Sequence, residues 1–120
     1  LEALGLSARC LHLRAEDAGR DAALRASFDA ALTRAVAPLP ALLELTVPLL
    51  RVGGQSIAYK GAPAGELAAA QSACAQLRCA CRSIPIPAGY GARTLVVAEK
   101  QAETPPRFPR RAGLPAKQPL

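Results

Sequence analysis

Four cysteines, Cys10, Cys74, Cys79 and Cys81, are the side chains best suited to hold a metal, form a disulfide or attack an electrophile. Cys79-Ala80-Cys81 is not the C-x-x-C of a zinc knuckle, His12 is the single histidine, and no second paired motif completes a tetrahedral ligand set. No charged segment followed by an apolar stretch and a small-residue cleavage site opens the chain, so nothing indicates an oxidising compartment. The expectation is buried free thiols and no metal. Arg34 carries sharper chemistry. It stands between Thr33 and the apolar Ala35-Val36-Ala37, and a partly buried guanidinium in such surroundings needs an anionic partner. A ligand carboxylate, an RNA phosphate, or a structural salt bridge to Asp29 or Glu44 would each serve. Lys60, Arg107, Arg110, Arg111 and Lys117 form a third group, able to meet phosphates or to remain solvated surface charges.

The frame that must position these groups is small. A chain of 120 residues has room for one modest domain or a piece of one. Hydrophobic residues make up 51% but aromatics only 3%, so the core is aliphatic. A net charge of +6 favours a polyanionic partner, because Lys and Arg gain by displacing counterions from phosphate. Pro38, Pro40 and Pro48 interrupt the most apolar stretch, and no run approaches the roughly 20 residues a bilayer requires. These features predict a soluble, cytoplasmic protein without a membrane partner. Leu1 stands where a Met would start, and residues 1–6 read as the last turns of a helix whose beginning is absent.

Residues 8–13 (ARCLHL) alternate as a short strand does. Asp17 is a candidate cap for a helix over residues 18–25, followed by a strand over residues 28–33 that leads to Arg34. Residues 39–50 read as a helix with Pro40 in its first turn, and Pro48 should tighten or end it. Val52-Gly53-Gly54 predicts a turn, and residues 55–60 a buried strand ending at Gly61. Residues 65–77 are good helix formers with Leu67, Ala70, Cys74 and Leu77 on one face. Residues 79–86 and 93–100 predict two strands joined by the loop 87–91. Five prolines after residue 101 exclude a helix or a central strand, so the tail should be extended, lying over the domain on Phe108 and Leu114, or else disordered. The sum is an α/β sheet, parallel in its centre, with an antiparallel strand at the end.

Several blocks occur in a fixed order: Arg14-Ala15-Glu16-Asp17, Ser27-Phe28-Asp29, Thr33-Arg34-Ala35-Val36-Ala37-Pro38-Leu39, Tyr59-Lys60-Gly61, Arg93-Thr94-Leu95-Val96-Val97, and Phe108-Pro109-Arg110-Arg111-Ala112-Gly113-Leu114-Pro115 with Pro119-Leu120. In order and spacing they resemble the small-subunit ribosomal RNA methyltransferase G family, also called glucose-inhibited division protein B, across essentially the whole chain. The resemblance implies the C-terminal portion of a class I S-adenosylmethionine-dependent methyltransferase of Rossmann-like fold, mostly parallel with an antiparallel C-terminal strand pair. Residues 1–100 would be a partial methyltransferase domain and residues 101–120 a basic, Pro-rich tail. Residues 8–13 would be the third family strand, 28–33 the fourth and 55–59 the fifth.

The implied reaction is methylation of guanine N7 in 16S ribosomal RNA, with S-adenosyl-L-methionine as cofactor and that RNA or the small ribosomal subunit as partner. Ala15 and Glu16 would meet the adenine end of the donor, and Arg34 is the third implied cofactor-binding residue. For Glu16 the plain alternative is a helix-start charge favoured by the macrodipole. N7 has a lone pair and no proton, so no catalytic acid or base is expected. The family's Gly-rich, donor-cradling loop and its first two strands have no counterpart here. Those strands lie between the third and fourth, so the missing N-terminal segment would be needed to complete the fold, and the chain alone should be inactive, with exposed strand edges. Two other readings stay open: a non-enzymatic RNA-binding module using the basic tail, and a nucleotide-binding α/β protein related by fold only.

Overall fold

A computed structural model describes residues 11, 13–34, 38–60, 64–86 and 93–120. The elements in chain order are α1 (Ala15–Arg20), β1 (Phe28–Thr33), α2 (Leu39–Thr46) with a 3-10 turn (Val47–Leu49), β2 (Leu50–Lys60), α3 (Ala64–Ala69), α4 (Gln71–Leu77), β3 (Cys79–Ile86), β4 (Arg93–Lys100) and α5 (Leu114–Lys117). The strands form one mixed sheet in the order β1-β2-β4-β3. β1 runs parallel to β2, whereas β4 pairs antiparallel with both β2 and β3. The runs assigned to the fourth and fifth family strands lie side by side and parallel, and the expected antiparallel pair is present. The sheet is nevertheless not mostly parallel: β4 inserts between β2 and β3, so one described pairing is parallel and two are antiparallel. Among the described residues β1 has a partner on one side only.

One face of the sheet is sealed. Ser56 and Ala58 on β2 are buried, as are Val96 and Ala98 on β4, while the alternate residues Ile57, Tyr59 and Leu95 stay partly exposed and Val97 among them is buried. That period of two is the pleat with a single face turned to the helices. The core joins Ala58, Val96 and Ala98 to Leu39, Leu42, Leu43 and Val47 of α2 and its turn, Ala73 and Leu77 of α4, and Phe108 of the tail. Pro40 occupies the first turn of α2, where no backbone N–H is required, and Pro48 falls in the 3-10 turn that ends the helix. No helix among the described residues is long and apolar enough to cross a membrane.

Several expectations need correction. Val52-Gly53-Gly54 is no turn but the interior of β2. Phe28 pairs with Leu50 and Ala30 with Gln55, so β2 bulges outward between those pairs. Gly53 takes φ +88°, and a Cβ on Gly54 would lie 2.9–3.1 Å from the carbonyl oxygens of Arg51, Asp29 and Phe28, so only glycine fits there. Asp17 caps nothing: it lies in the first turn of α1. The helix stops at Arg20 because the Asp21 carboxylate accepts the Ala23 N–H, a local turn that competes with helix. The helix expected over residues 65–77 breaks at Ala70 into α3 and α4. Residues 8–10 and 12 of the expected first strand lie outside the described residues, as do 1–7 and the loop 87–91. Leu11 and Leu13 are exposed and not in a strand.

The tail is ordered over the domain, with Phe108 buried and Leu114 partly so. It also forms the one-turn α5, which its prolines permit because Pro115 sits at the helix start.

Candidate functional site

Because β1 and β2 are parallel, their carboxyl ends lie together, where open α/β sheets bind ligands. Leu32 is opposite Ile57 and Tyr59 is opposite Leu95, which places four apolar side chains on the open face of the sheet. With Thr33 and Arg34 they line a cleft of about 290 Å³. Arg34 follows β1 directly, and its guanidinium carbon lies 5.5 Å from the centroid of the Tyr59 ring. A ring contact of this kind is worth about 0.5–1 kcal/mol at an exposed site and leaves the N–H donors available to an anion. Among the described residues Arg34 makes no ion pair. Asp29 pairs with Arg51, and Glu44 with Arg110, so neither structural partner foreseen for Arg34 fills that role.

The tail crosses α1 and α2 as a strap held at three points. Glu16 is 5% exposed, and its Oε2 accepts the Gly113 N–H at 2.7 Å and an Arg14 N–H at 3.3 Å. Burial alone would raise its carboxyl, but hydrogen bonds from the Gly113 and Glu16 backbone N–H groups and from Arg14 hold it below the ordinary value of 4.5. Glu44 is fully buried and accepts the Arg110 backbone N–H at 2.7 Å, its Nε at 3.0 Å and its Nη2 at 2.8 Å. Those bonds push the Arg110 guanidinium above its usual range. Arg25 donates from Nη2 to the carbonyls of Thr104 and Pro105, and from Nη1 to those of Phe108 and Gly19.

The expected site residues therefore separate. Ala15 and Glu16 begin α1 beneath the strap, and the lining of the Arg34 cleft includes neither. Arg107, Arg111 and Lys117 are exposed, Arg107 lying over the Phe108 ring at 4.8 Å. Arg110 is committed to Glu44. Lys60 is the last residue of β2, at the same sheet end as Arg34, and its side chain is outside the described residues. Sequence reasoning missed Arg25, whose strap partners lie about eighty positions away. It also missed the ring under Arg34, although Tyr59 stood in a quoted block.

The family model for rRNA small subunit methyltransferase G matches residues 1–94. A Rubrobacter xylanophilus protein named ribosomal RNA small subunit methyltransferase G is 46% identical over 128 residues, covering 100% of this chain and 49% of that protein. A Streptococcus thermophilus protein of the same name is 47% identical over 122 residues, covering 98% of this chain and 51% of the relative. One from Deinococcus radiodurans is 45% identical over 111 residues, with shares of 89% and 44%. The chain spans about half the length of the curated relatives it matches.

Proposed function

Because the chain belongs to the rRNA small subunit methyltransferase G family, we propose that it supplies the C-terminal half of an S-adenosylmethionine-dependent enzyme that methylates N7 of a guanine in 16S ribosomal RNA. The observation that carries this reading is the 46% identity over the whole chain, which a likeness of fold alone does not produce. Residues 1–100 act as the methyltransferase part and residues 101–120 as the strap, in the bacterial cytoplasm where ribosomal subunits are made.

The residues present fit part of the donor. The cleft of about 290 Å³ falls just below the roughly 300–1,000 Å³ typical of small-molecule sites, as a part of one would, with apolar walls and one cation. Arg34 holds the donor's carboxylate, and the Ala15–Glu16 end of α1 meets its adenine end, while the Glu16 carboxylate keeps the strap in place. When bound, the donor supplies an electrophilic methyl on sulfur. Guanine N7 attacks with a lone pair and sheds no proton, so this chain's task is to align the two reactants, which can account for about 7–11 kcal/mol of a barrier. No acid or base is assigned. Arg107, Arg111 and Lys117, with Lys60, contact RNA phosphates, and Arg110 positions the strap that presents them.

Isothermal titration with S-adenosylmethionine tests the division of the pocket. The chain alone should show no tight binding, and adding the N-terminal half of a family member should restore it in a manner that Arg34→Ala abolishes. Tight binding by the lone chain would overturn the shared pocket. The exposed Arg107, Arg111 and Lys117 favour one second reading, a pure RNA-binding module. It predicts salt-sensitive RNA affinity that survives Arg34→Ala and falls when those three are replaced.

A further inference from the structure

Three sulfurs converge on the helix-covered side of the sheet, opposite the Arg34 cleft. Cys79 and Cys81 alternate on β3, opposite Lys100 and Ala98 of β4, and so face α4 together. Cys74 lies in the last turn of α4, whose C-cap, Arg78, takes the left-handed conformation (φ 64°, ψ 51°) and folds β3 back beneath the helix. The three Sγ atoms all lie within 4.8 Å of one another, with Cys74 and Cys81 3.1 Å apart. Cys79 is buried, the other two are half-buried, and none is in a disulfide. A tetrahedral zinc–thiolate site with bonds of about 2.3 Å has sulfur–sulfur edges of about 3.8 Å, within this spread.

Thiols bind such a cation as thiolates, so binding here is coupled to loss of their protons. A cavity of about 330 Å³, lined by Leu67, Ala68, Gln71, Cys74 and Cys81, opens onto two of the sulfurs. It offers an entry path and room for one more ligand.

We propose that Cys74, Cys79 and Cys81 bind one thiophilic d10 cation of the Zn2+ type through three thiolates, with a fourth position open to that cavity. Such a ligand set, split between a helix and a strand, needs no C-x-x-C pair. Binding releases the thiol protons to solvent and leaves a complex of net charge −1 when water is the fourth ligand. The site staples α4 to the β3–β4 pair. Since it lies on the other side of the sheet from Arg34, its role is in stability and not in methyl transfer.

Titrating the reduced full chain with Co2+ as an optical probe, then displacing it with Zn2+, tests the assignment. One equivalent should give the visible bands of tetrahedral cobalt and a thiolate charge-transfer band. Zn2+ should raise the melting temperature and protect three thiols from alkylation. Cys74→Ser, Cys79→Ser and Cys81→Ser should each weaken binding by more than about 100-fold, beyond the roughly 10–100-fold that loss of an outer-shell partner costs. Cys10→Ser should leave binding intact. Full alkylation of the native chain in the presence of micromolar Zn2+, a reading that needs no mutation, would overturn the proposal. So would binding that persists in Cys79→Ser or vanishes in Cys10→Ser.

Discussion

Replacing Arg110 with alanine asks how much of the tail is held by a single buried charge. Glu44 is 0% exposed and its carboxylate is met by three Arg110 donors, the backbone N–H, Nε and Nη2. Truncation removes the two side-chain donors and leaves the 2.7 Å backbone bond. Breaking one side of a buried pair costs about 3–5 kcal/mol, because the surviving charge stays desolvated. The retained backbone donor, and the 23% exposure of the Arg110 side chain that lets water approach, place the expected loss at the lower end, near 3 kcal/mol. Urea unfolding should therefore show a midpoint shift large against a typical total stability of about 5–15 kcal/mol. The double variant Glu44→Gln with Arg110→Met removes both charges while keeping an acceptor for the Arg110 backbone N–H, and should recover most of that loss. A loss below about 1 kcal/mol for Arg110→Ala, or a double variant less stable than the single one, would refute the reasoning.

Arg25→Ala removes the donors to the Thr104, Pro105 and Phe108 carbonyls and should cost about 2–3 kcal/mol, seen as faster proteolysis after residue 101; equal cleavage rates would count against the clamp. The Glu16 carboxyl is depressed in the folded chain, so the stability it lends is present above 4.5 and is lost as pH falls through its lower folded value. Pepsin sensitivity of the tail should therefore rise with acidification below pH 4.5, and Glu16→Gln should remove that dependence. Gly19→Ala improves helix propensity yet places a Cβ 2.8 Å from Pro109 Cγ, so a net destabilisation of about 1–3 kcal/mol is expected in thermal melts. Leu32 is 77% exposed on β1, which among the described residues is paired on one side only, and Leu32→Lys should reduce self-association in sedimentation without lowering stability.

The local elements were largely legible. Phe28–Thr33, Cys79–Ile86 and Arg93–Lys100 fall where runs of strand length between turn residues placed them, and Pro40 and Pro48 bound α2 as proline chemistry requires. Errors arose where a partner distant in sequence decided the outcome. The glycine pair at 53 and 54 signals a turn in isolation, but the carbonyls of Phe28 and Asp29 make it a bulge inside a strand. The Asp17 error was local: α1 starts at Ala15, ahead of it, and the Asp21 turn ends the helix at Arg20. Glu16 was read as a donor contact or a helix-start charge, and Arg110 as a phosphate contact or a solvated charge. Their partners, Gly113 and Glu44, lie 97 and 66 positions away, beyond any local pattern.

The reversal at Arg78 fixes more than a direction. A one-residue joint has no slack, so main-chain torsions set where the three Cβ atoms stand and only the χ1 rotamers are left to adjust the sulfurs. Inserting one residue between Cys74 and the end of α4 would swing that thiol by about 100° around the helix axis. Inserting one between Cys79 and Cys81 would send them to opposite sides of the strand. A relative whose joint differs in length by a single position cannot reproduce this arrangement, however many cysteines it carries. Loop length, read in an alignment, is thus a sharper marker of the site than cysteine content.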